Sequence, residues 1–144
     1  MKIYLDVCCI NRPFDDQNQD RIRMESEAVL AILKRCLQDW ALMGSEAIDY
    51  EISRIPDAER RRKLERIVSI SIEKILVDEA IAARALEIEN LGLGAVDALH
   101  VSCAERCADV MLTTDDEIIR AALRKNSSIN IKVMNPVRWL FDVL

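Results

Sequence analysis

Four acidic residues, far apart in the chain, stand where an ionised side chain is costly. Each follows an apolar strand or lies on the apolar side of a predicted helix: Asp6, Glu51, Asp97 and Asp115. Burying an ionised carboxylate is unfavourable by several kcal/mol, and clustered like charges raise one another's pKa. A divalent cation removes both penalties. Four acids gathered at one end of a sheet would therefore form a magnesium or manganese site.

Asp6 comes directly after the first predicted strand, and Asp115 follows the fourth. In an open α/β sheet the ligand site lies beyond the carboxyl ends of the strands, so both acids are expected at that edge. An Asp after a strand is also a common helix N-cap or turn residue. Taken alone, each of these two acids therefore has a purely structural explanation.

Glu51 and Asp97 are predicted on helices, close to an apolar face. Glu51 flanks a stripe formed by Ile48, Ile52 and Ile55, so it needs a partner or a metal. The structural alternative is an ion pair with Arg54. Asp97 lies near a helix start in apolar company, where the helix dipole alone would favour a negative charge. Its apolar flanks favour a functional role.

Short apolar strands alternate with helices along the chain. The predicted strands cover residues 2–5, 40–43, 74–77, 110–112 and 129–134. Predicted helices cover residues 20–37, 45–54, 57–70, 78–91, 95–108 and 116–125 and begin again at Pro136, whereas residues 7–19 are predicted as a loop. This alternation predicts a three-layer α/β sandwich with a central, mostly parallel sheet of about five strands.

Length and charge narrow the class of protein. A chain of 144 residues predicts one domain over residues 1–144, and the net charge of −5 argues against a general nucleic-acid coat protein. No export leader and no membrane span are expected from the sequence. Five cysteines without a framework motif are expected to be reduced thiols of a cytoplasmic protein.

The chain resembles the PIN-domain family of metal-dependent nucleases, which includes the VapC-type toxins of toxin–antitoxin pairs. The resemblance spans essentially the whole chain and rests on four short motifs in the family's order: Ile3-Tyr4-Leu5-Asp6, Gly44-Ser45-Glu46-Ala47-Ile48-Asp49-Tyr50-Glu51, Ala95-Val96-Asp97-Ala98-Leu99-His100 and Asp109-Val110-Met111-Leu112-Thr113-Thr114-Asp115. One departure is that Val7-Cys8-Cys9 follows the first acid, where the family often has a small hydroxyl residue or Asn.

The resemblance implies a Mg²⁺- or Mn²⁺-dependent endoribonuclease with an acidic pocket. Its catalytic acids would be Asp6, Glu51, Asp97 and Asp115, and its metal ligands Asp6, Asp97 and Asp115, with Glu51 as a further ligand or as the group that orients the attacking water. Asp116 is adjacent to Asp115 and could assist it. The implied partners are an RNA substrate, a small antitoxin and a second copy of the chain.

Two alternative functions stay open. A non-catalytic PIN-like module would bind RNA or protein without cutting, although such a module has no need for all four acids. A phosphatase with an aspartyl nucleophile would need a second Asp two residues after the first, and Cys8 stands there.

Two further clusters have structural explanations that are favoured over functional ones. His100, Cys103 and Cys107 share one helical stripe and could resemble a metal face, but a packed core is the favoured interpretation. The basic run Arg60, Arg61, Arg62, Lys63 and Arg66 is typical of a solvated face with internal ion pairs, and steering of RNA is the alternative.

Overall fold

Five parallel strands form the central sheet of the computed structural model, which describes all 144 residues. The order across the sheet is β3-β2-β1-β4-β5. The strands are β1 Lys2–Leu5, β2 Ala41–Ser45, β3 Glu73–Ile75, β4 Val110–Leu112 and β5 Lys132–Met134. The predicted α/β sandwich is confirmed, and its sheet is entirely parallel.

Eight α-helices flank this sheet. They are α1 Val7–Asn11, α2 Asp20–Cys36, α3 Glu46–Ser53, α4 Ala58–Val68, α5 Glu79–Glu89, α6 Ala95–Cys107, α7 Asp116–Arg124 and α8 Pro136–Val143. Helix α6 packs on β1 and β4, and α2 packs on β2 and α8. One continuous core joins sheet and helices, with Ile3, Tyr4 and Leu5 of β1 completely buried. No helix combines the length and the apolarity needed to cross a bilayer.

The strand order places β1 at the point where the chain changes direction across the sheet. From β1 the chain goes to β2 on one side, and later it returns to the other side of β1 as β4. Leu5 pairs with Leu112 in register, and the backbone N–H of Asp6 donates to Leu112 O at 2.9 Å. Ligands of such sheets bind at this crossing point. The residues that follow β1 and β4 therefore share one crevice.

The predicted loop over residues 7–19 is confirmed for residues 15–19, whereas the prediction was wrong for residues 7–14. These residues form helix α1 and a 3-10 turn, Arg12–Phe14. The Asp6 carboxylate accepts a hydrogen bond from Val7 N at 2.8 Å and begins α1, while Pro13 sits in the first turn of the 3-10 segment. A short capped helix carries too few residues to show the helical period, so the polar composition dominated the prediction.

Two other local predictions met different outcomes. The fifth strand begins at Lys132, later than predicted, because Ile129 N donates to Lys125 O and closes the turn after α7. The sequence Gly92-Leu93-Gly94, between the predicted helices over residues 78–91 and 95–108, indicates a helix-end turn, and this prediction is confirmed. The φ of Gly92, 112°, lies in the left-handed region that glycine adopts without strain at the end of α5.

Candidate metal centre

Asp6 combines a structural and a possible functional role in one carboxylate. The residue is buried, with 5% of its surface exposed. Its Oδ1 caps α1, and its Oδ2 accepts a hydrogen bond from the Thr113 hydroxyl at 2.8 Å. The Cys8 thiol lies 3.4 Å from the same Oδ2. Thr113 and Cys8 thus supply the small polar groups beside the first acid that the sequence left unassigned.

Asp115 lies exposed at the end of β4 and also caps a helix. Its Oδ1 accepts from Glu117 N at 2.9 Å, and no hydrogen bond within the protein uses Oδ2. The neighbouring Asp116 is engaged elsewhere. Arg21 donates to both of its carboxylate oxygens, at 2.8 and 2.9 Å, and this pairing lowers the pKa of Asp116. Asp115 is therefore the freer of the two acids.

Glu51 contacts a histidine. Its Oε1 lies 3.1 Å from His100 Nε2, so the predicted alternative of an ion pair with Arg54 is wrong. The Arg54 guanidinium instead lies over the Tyr50 ring. One potential ligand atom each from Asp6, Glu51 and His100 lies within 4.8 Å of the other two. The helix bearing Glu51 therefore does bring this acid to the end of β1.

His100 is the functional candidate that the sequence analysis underrated. Its side chain is completely buried, as the packed-core interpretation required, but both ring nitrogens have polar partners. Nδ1 lies 2.7 Å from the Tyr4 hydroxyl, and that hydroxyl lies 2.7 Å from Ser45 Oγ. The available signal was the helical spacing, which places His100 on the same face as Asp97.

Asp97 shows electrostatically that the acids share one region. Burial, followed by the charges of Asp6 and Asp115 and then of Glu51, raises the pKa of Asp97 from 3.8 to about 6, although His100 acts in the opposite direction. Among the acids near this site, only Glu51 and Asp116 belong to an ion pair. The protein therefore concentrates negative charge here without a cationic side chain that neutralises Asp6, Asp97 or Asp115.

This donor set fits a hard divalent cation. Carboxylate oxygens dominate it, and the thiol of Cys8 is already within hydrogen-bond distance of Asp6, Thr113 and Thr114. Mg²⁺ and Mn²⁺ prefer oxygen ligands, whereas zinc prefers nitrogen and sulfur. Of the four predicted acids, Asp6 and Glu51 have potential ligand atoms within 4.8 Å of each other. Asp97 and Asp115 are not part of that cluster, but the charges of Asp6 and Asp115 act on Asp97.

The raised pKa of Asp97 predicts how the stability of the metal-free protein depends on pH. The folded state holds the proton of the Asp97 carboxyl group more tightly than the unfolded chain does. The stability that proton binding contributes is therefore full below about pH 4 and is lost as the pH rises through about 6. In EDTA, we expect Asp97→Asn to gain stability relative to the wild type between pH 4 and 7. Thermal unfolding midpoints of both proteins across this range measure the difference. A difference that does not change with pH would contradict the prediction.

Glu25 is a buried acid that no sequence pattern indicated. It lies in α2 with 1% of its surface exposed. Its carboxylate accepts hydrogen bonds from Arg12 Nε at 2.9 Å, Arg21 Nε at 3.1 Å and Asn135 Nδ2 at 2.6 Å. Arg21 also holds Asp116 and the carbonyl oxygen of Thr114. Glu25 thus links the 3-10 turn, α2 and the start of α8 to the loop that carries Asp115.

The basic run on α4 is partly committed to holding the fold together. Arg60 donates to Asn11, Asp15 and the carbonyl oxygen of Phe14. Arg61 donates to Ile55 O, and Lys63 pairs with Glu59 at 3.6 Å. These contacts favour the structural interpretation for this part of the run. Arg62 and Arg66 have no ion-pair partner, so steering of RNA by these two residues stays a prediction.

Comparison with known proteins identifies the fold and the family. The PIN domain family model matches residues 3–123. Two solved structures share 21% identity with this chain. FitAcB from Neisseria gonorrhoeae has a TM-score of 0.62 and covers 93% of this chain and 97% of its own, whereas FitAB bound to an IR36 DNA fragment has a TM-score of 0.60 and covers 94% and 95%.

A third similar structure comes from another organism. VapBC2 from Rickettsia felis, bound to a DNA fragment from its promoter, has a TM-score of 0.59 and 18% identity and covers 94% of this chain and 98% of its own. No curated protein sequence matches the chain significantly.

Proposed function

Because the chain belongs to the PIN domain family, we propose that it is a metal-dependent endoribonuclease that hydrolyses RNA phosphodiester bonds. The observation that carries this proposal is the meeting of Asp6 and Glu51 at the end of β1, where they have potential ligand atoms within 4.8 Å of each other. The raised pKa of Asp97, caused first by burial and then by the charges of Asp6 and Asp115, supports the same location. Perturbed acids in a crevice at the crossing point of an α/β sheet are typical of a functional site. Sequence resemblance and local electrostatics thus support the same location.

Each acid has a distinct part in the proposed site. Asp6, Asp97 and Asp115 hold the cation, and Thr113 orients Asp6 through its hydrogen bond to Oδ2. A bound Mg²⁺ or Mn²⁺ would polarise the scissile phosphate and lower the pKa of a water molecule. Glu51 has its Oε1 occupied by His100, so Oε2 is available to accept a hydrogen bond from the attacking water and orient it, or to join the ligands.

The test is cleavage of a mixed RNA pool by purified protein in Mg²⁺ or Mn²⁺. We expect discrete fragments with either metal, none in EDTA, and recovered cleavage when Mn²⁺ is added back in excess. A single-stranded DNA pool, run in parallel, shows whether the substrate is restricted to RNA. Folded protein that retains RNA on a filter without cutting it in Mn²⁺ would favour the non-catalytic binding module instead.

We also propose a small antitoxin partner and self-association. The similar structures FitAB and VapBC2 are two-component complexes, and the shared fold supports a corresponding complex for this chain. A short reading frame beside its gene is expected to encode the partner. Light scattering of the chain alone and with the product of that reading frame tests both assemblies. The cytoplasmic location expected from the cysteines stays a prediction.

A further inference from the structure

We propose that His100 is a positioning residue, which holds Glu51 in place through an Nε2–H hydrogen bond and is itself fixed by Tyr4 and Ser45. The inference rests on the proposed function, because the object being positioned is an acid of the candidate metal centre. It assigns a role to a side chain with a ring nitrogen close enough to Asp6 and Glu51 to be taken for a metal ligand.

The contact between His100 and Glu51 determines which ring nitrogen carries the hydrogen. An ionised carboxylate only accepts hydrogen bonds, so the contact of 3.1 Å between Glu51 Oε1 and His100 Nε2 requires a hydrogen on Nε2. In the neutral ring Nδ1 then accepts, and the Tyr4 hydroxyl at 2.7 Å can donate to it. In the protonated ring both nitrogens donate. In either charge state the Nε2 hydrogen faces Glu51, and Nε2 has no free lone pair for a metal.

Tyr4 and Ser45 complete the hydrogen bonds on the Nδ1 side of the His100 ring. Burial raises the pKa of Tyr4 well above its ordinary value, so its hydroxyl keeps its proton. Ser45 Oγ lies 2.7 Å from the Tyr4 hydroxyl and accepts a hydrogen bond from Ile48 N at 3.1 Å. Ser45 can therefore donate to Tyr4 while Tyr4 donates to His100. Every polar atom in the row has a partner, as buried polar groups require.

The His100 ring is buried, whereas the Glu51 side chain is partly exposed. His100 has no exposed surface, and its ring packs edge-on against Tyr4, with centroids 5.9 Å apart at 64°. The Glu51 side chain, in contrast, is 37% exposed. A glutamate with that freedom loses considerable rotamer entropy when it is fixed, and the buried imidazole supplies the fixed donor that compensates for the loss. The arrangement joins α3, α6, β1 and the end of β2 at one carboxylate.

The first experiment reads the ring directly. The chain has a single histidine, so ¹⁵N spectra of the metal-free protein contain one imidazole. We expect the neutral ring to carry its hydrogen on Nε2 and to retain it when Mg²⁺ is added. A neutral ring that carries its hydrogen on Nδ1 would overturn the proposal. Loss of the Nε2 hydrogen when Mg²⁺ is added would also overturn it, because His100 would then be a metal ligand.

The second experiment separates positioning from packing. His100→Leu keeps the volume without a donor, and His100→Gln places an amide N–H near the former Nε2. The inference takes Glu51 in the second of its two proposed roles, as a ligand of the cation. Loss of a residue that supports a metal ligand typically weakens metal affinity about 10- to 100-fold, and we expect this for Mn²⁺ binding to His100→Leu, measured by calorimetry. His100→Gln should recover most of the affinity. Val101→Ala, a buried change on the same helix, should leave it unchanged.

The possible outcomes distinguish this inference from the proposed nuclease activity. Wild-type affinity in His100→Leu, or equal losses in the Leu and Gln variants, would refute the positioning role even if RNA is cut. Expected affinities together with an Nε2–H ring, but no cleavage of any RNA, would leave the positioning role intact and remove the nuclease. A wild-type protein that binds no Mn²⁺ would refute both.

Discussion

Replacing Asp97 by Asn is expected to lower kcat/KM for Mn²⁺-dependent RNA cleavage at least about 100-fold, equivalent to about 2.7 kcal/mol of transition-state stabilisation. The substitution keeps the shape of the side chain and removes only its charge. Burial, and then the charges of Asp6 and Asp115, raise the pKa of Asp97, so its carboxylate lies within the field of the neighbouring acids. The neutral amide is a much weaker ligand for a hard cation.

The same substitution should not destabilise the metal-free protein at neutral pH. In the wild type, burial and the neighbouring acids disfavour the ionised form of Asp97 and raise its pKa. The neutral Asn side chain removes this unfavourable charge. Activity is therefore expected to fall while the unfolding midpoint in EDTA stays equal or rises, and calorimetry should show weaker Mn²⁺ binding. Asp142→Asn removes an exposed acid on α8 and serves as the charge-matched control. If Asp97→Asn and Asp142→Asn cleave RNA equally well, the proposed site is wrong.

Replacing Glu25 by Ala is expected to lower the free energy of unfolding by about 3 kcal/mol, because breaking a buried ion pair leaves its partners uncompensated. Three side chains lose an acceptor: Arg12, Arg21 and Asn135. The Arg12 side chain retains 21% exposure and a second partner in Asp15. Some compensation is thus available, and the lower end of the range for buried pairs applies.

Urea denaturation with a matched control measures this effect. Asp20 pairs with Arg23 in the same helix, but its side chain is 85% exposed. Asp20→Asn should therefore cost less than about 1 kcal/mol, as exposed ion pairs do. Glu25→Gln keeps the shape and one acceptor oxygen and should fall between the two. An unfolding midpoint for Glu25→Ala that matches that of Asp20→Asn would show that the buried network adds no net stability.

Glu25→Ala should also bind Mn²⁺ more weakly. Glu25 holds Arg21, and Arg21 donates to Asp116 and to the carbonyl oxygen of Thr114, on either side of the proposed ligand Asp115.

The strands and the long helices could be predicted because their signals are local. The apolar runs Ile3-Tyr4-Leu5 and Val110-Met111-Leu112 are both followed by polar residues, and β1 and β4 begin and end where they were predicted. Helix caps are equally local, and Asp57 and Asp78 both accept hydrogen bonds from the first turns of α4 and α5. The alternation of these elements was sufficient to predict a parallel sheet and the edge at which Asp6 and Asp115 follow their strands.

The partners of the buried polar side chains could not be predicted in this way. Glu25 reads in the sequence as one more charge on a solvated helix, although Asn135, which it contacts, is 110 residues away. His100 reads as a core residue, and its contact with Glu51 spans 49 residues. Helical period indicates which side of a helix is buried, but it does not indicate which side chain from another element meets it.

The sequence by itself thus determined that the sheet is parallel, how strands and long helices alternate along the chain, and at which edge of the sheet Asp6 and Asp115 follow their strands. These features were predictable because propensity and periodicity are properties of neighbouring residues. Only the tertiary structure decided that Asp116 pairs with Arg21, that Glu25 is a buried acceptor, and that His100 lies within hydrogen-bond distance of Glu51. Such pairings depend on the three-dimensional packing of α2, α3, α6 and α7, and a buried charge is stabilised only by the group that packing brings within hydrogen-bond distance.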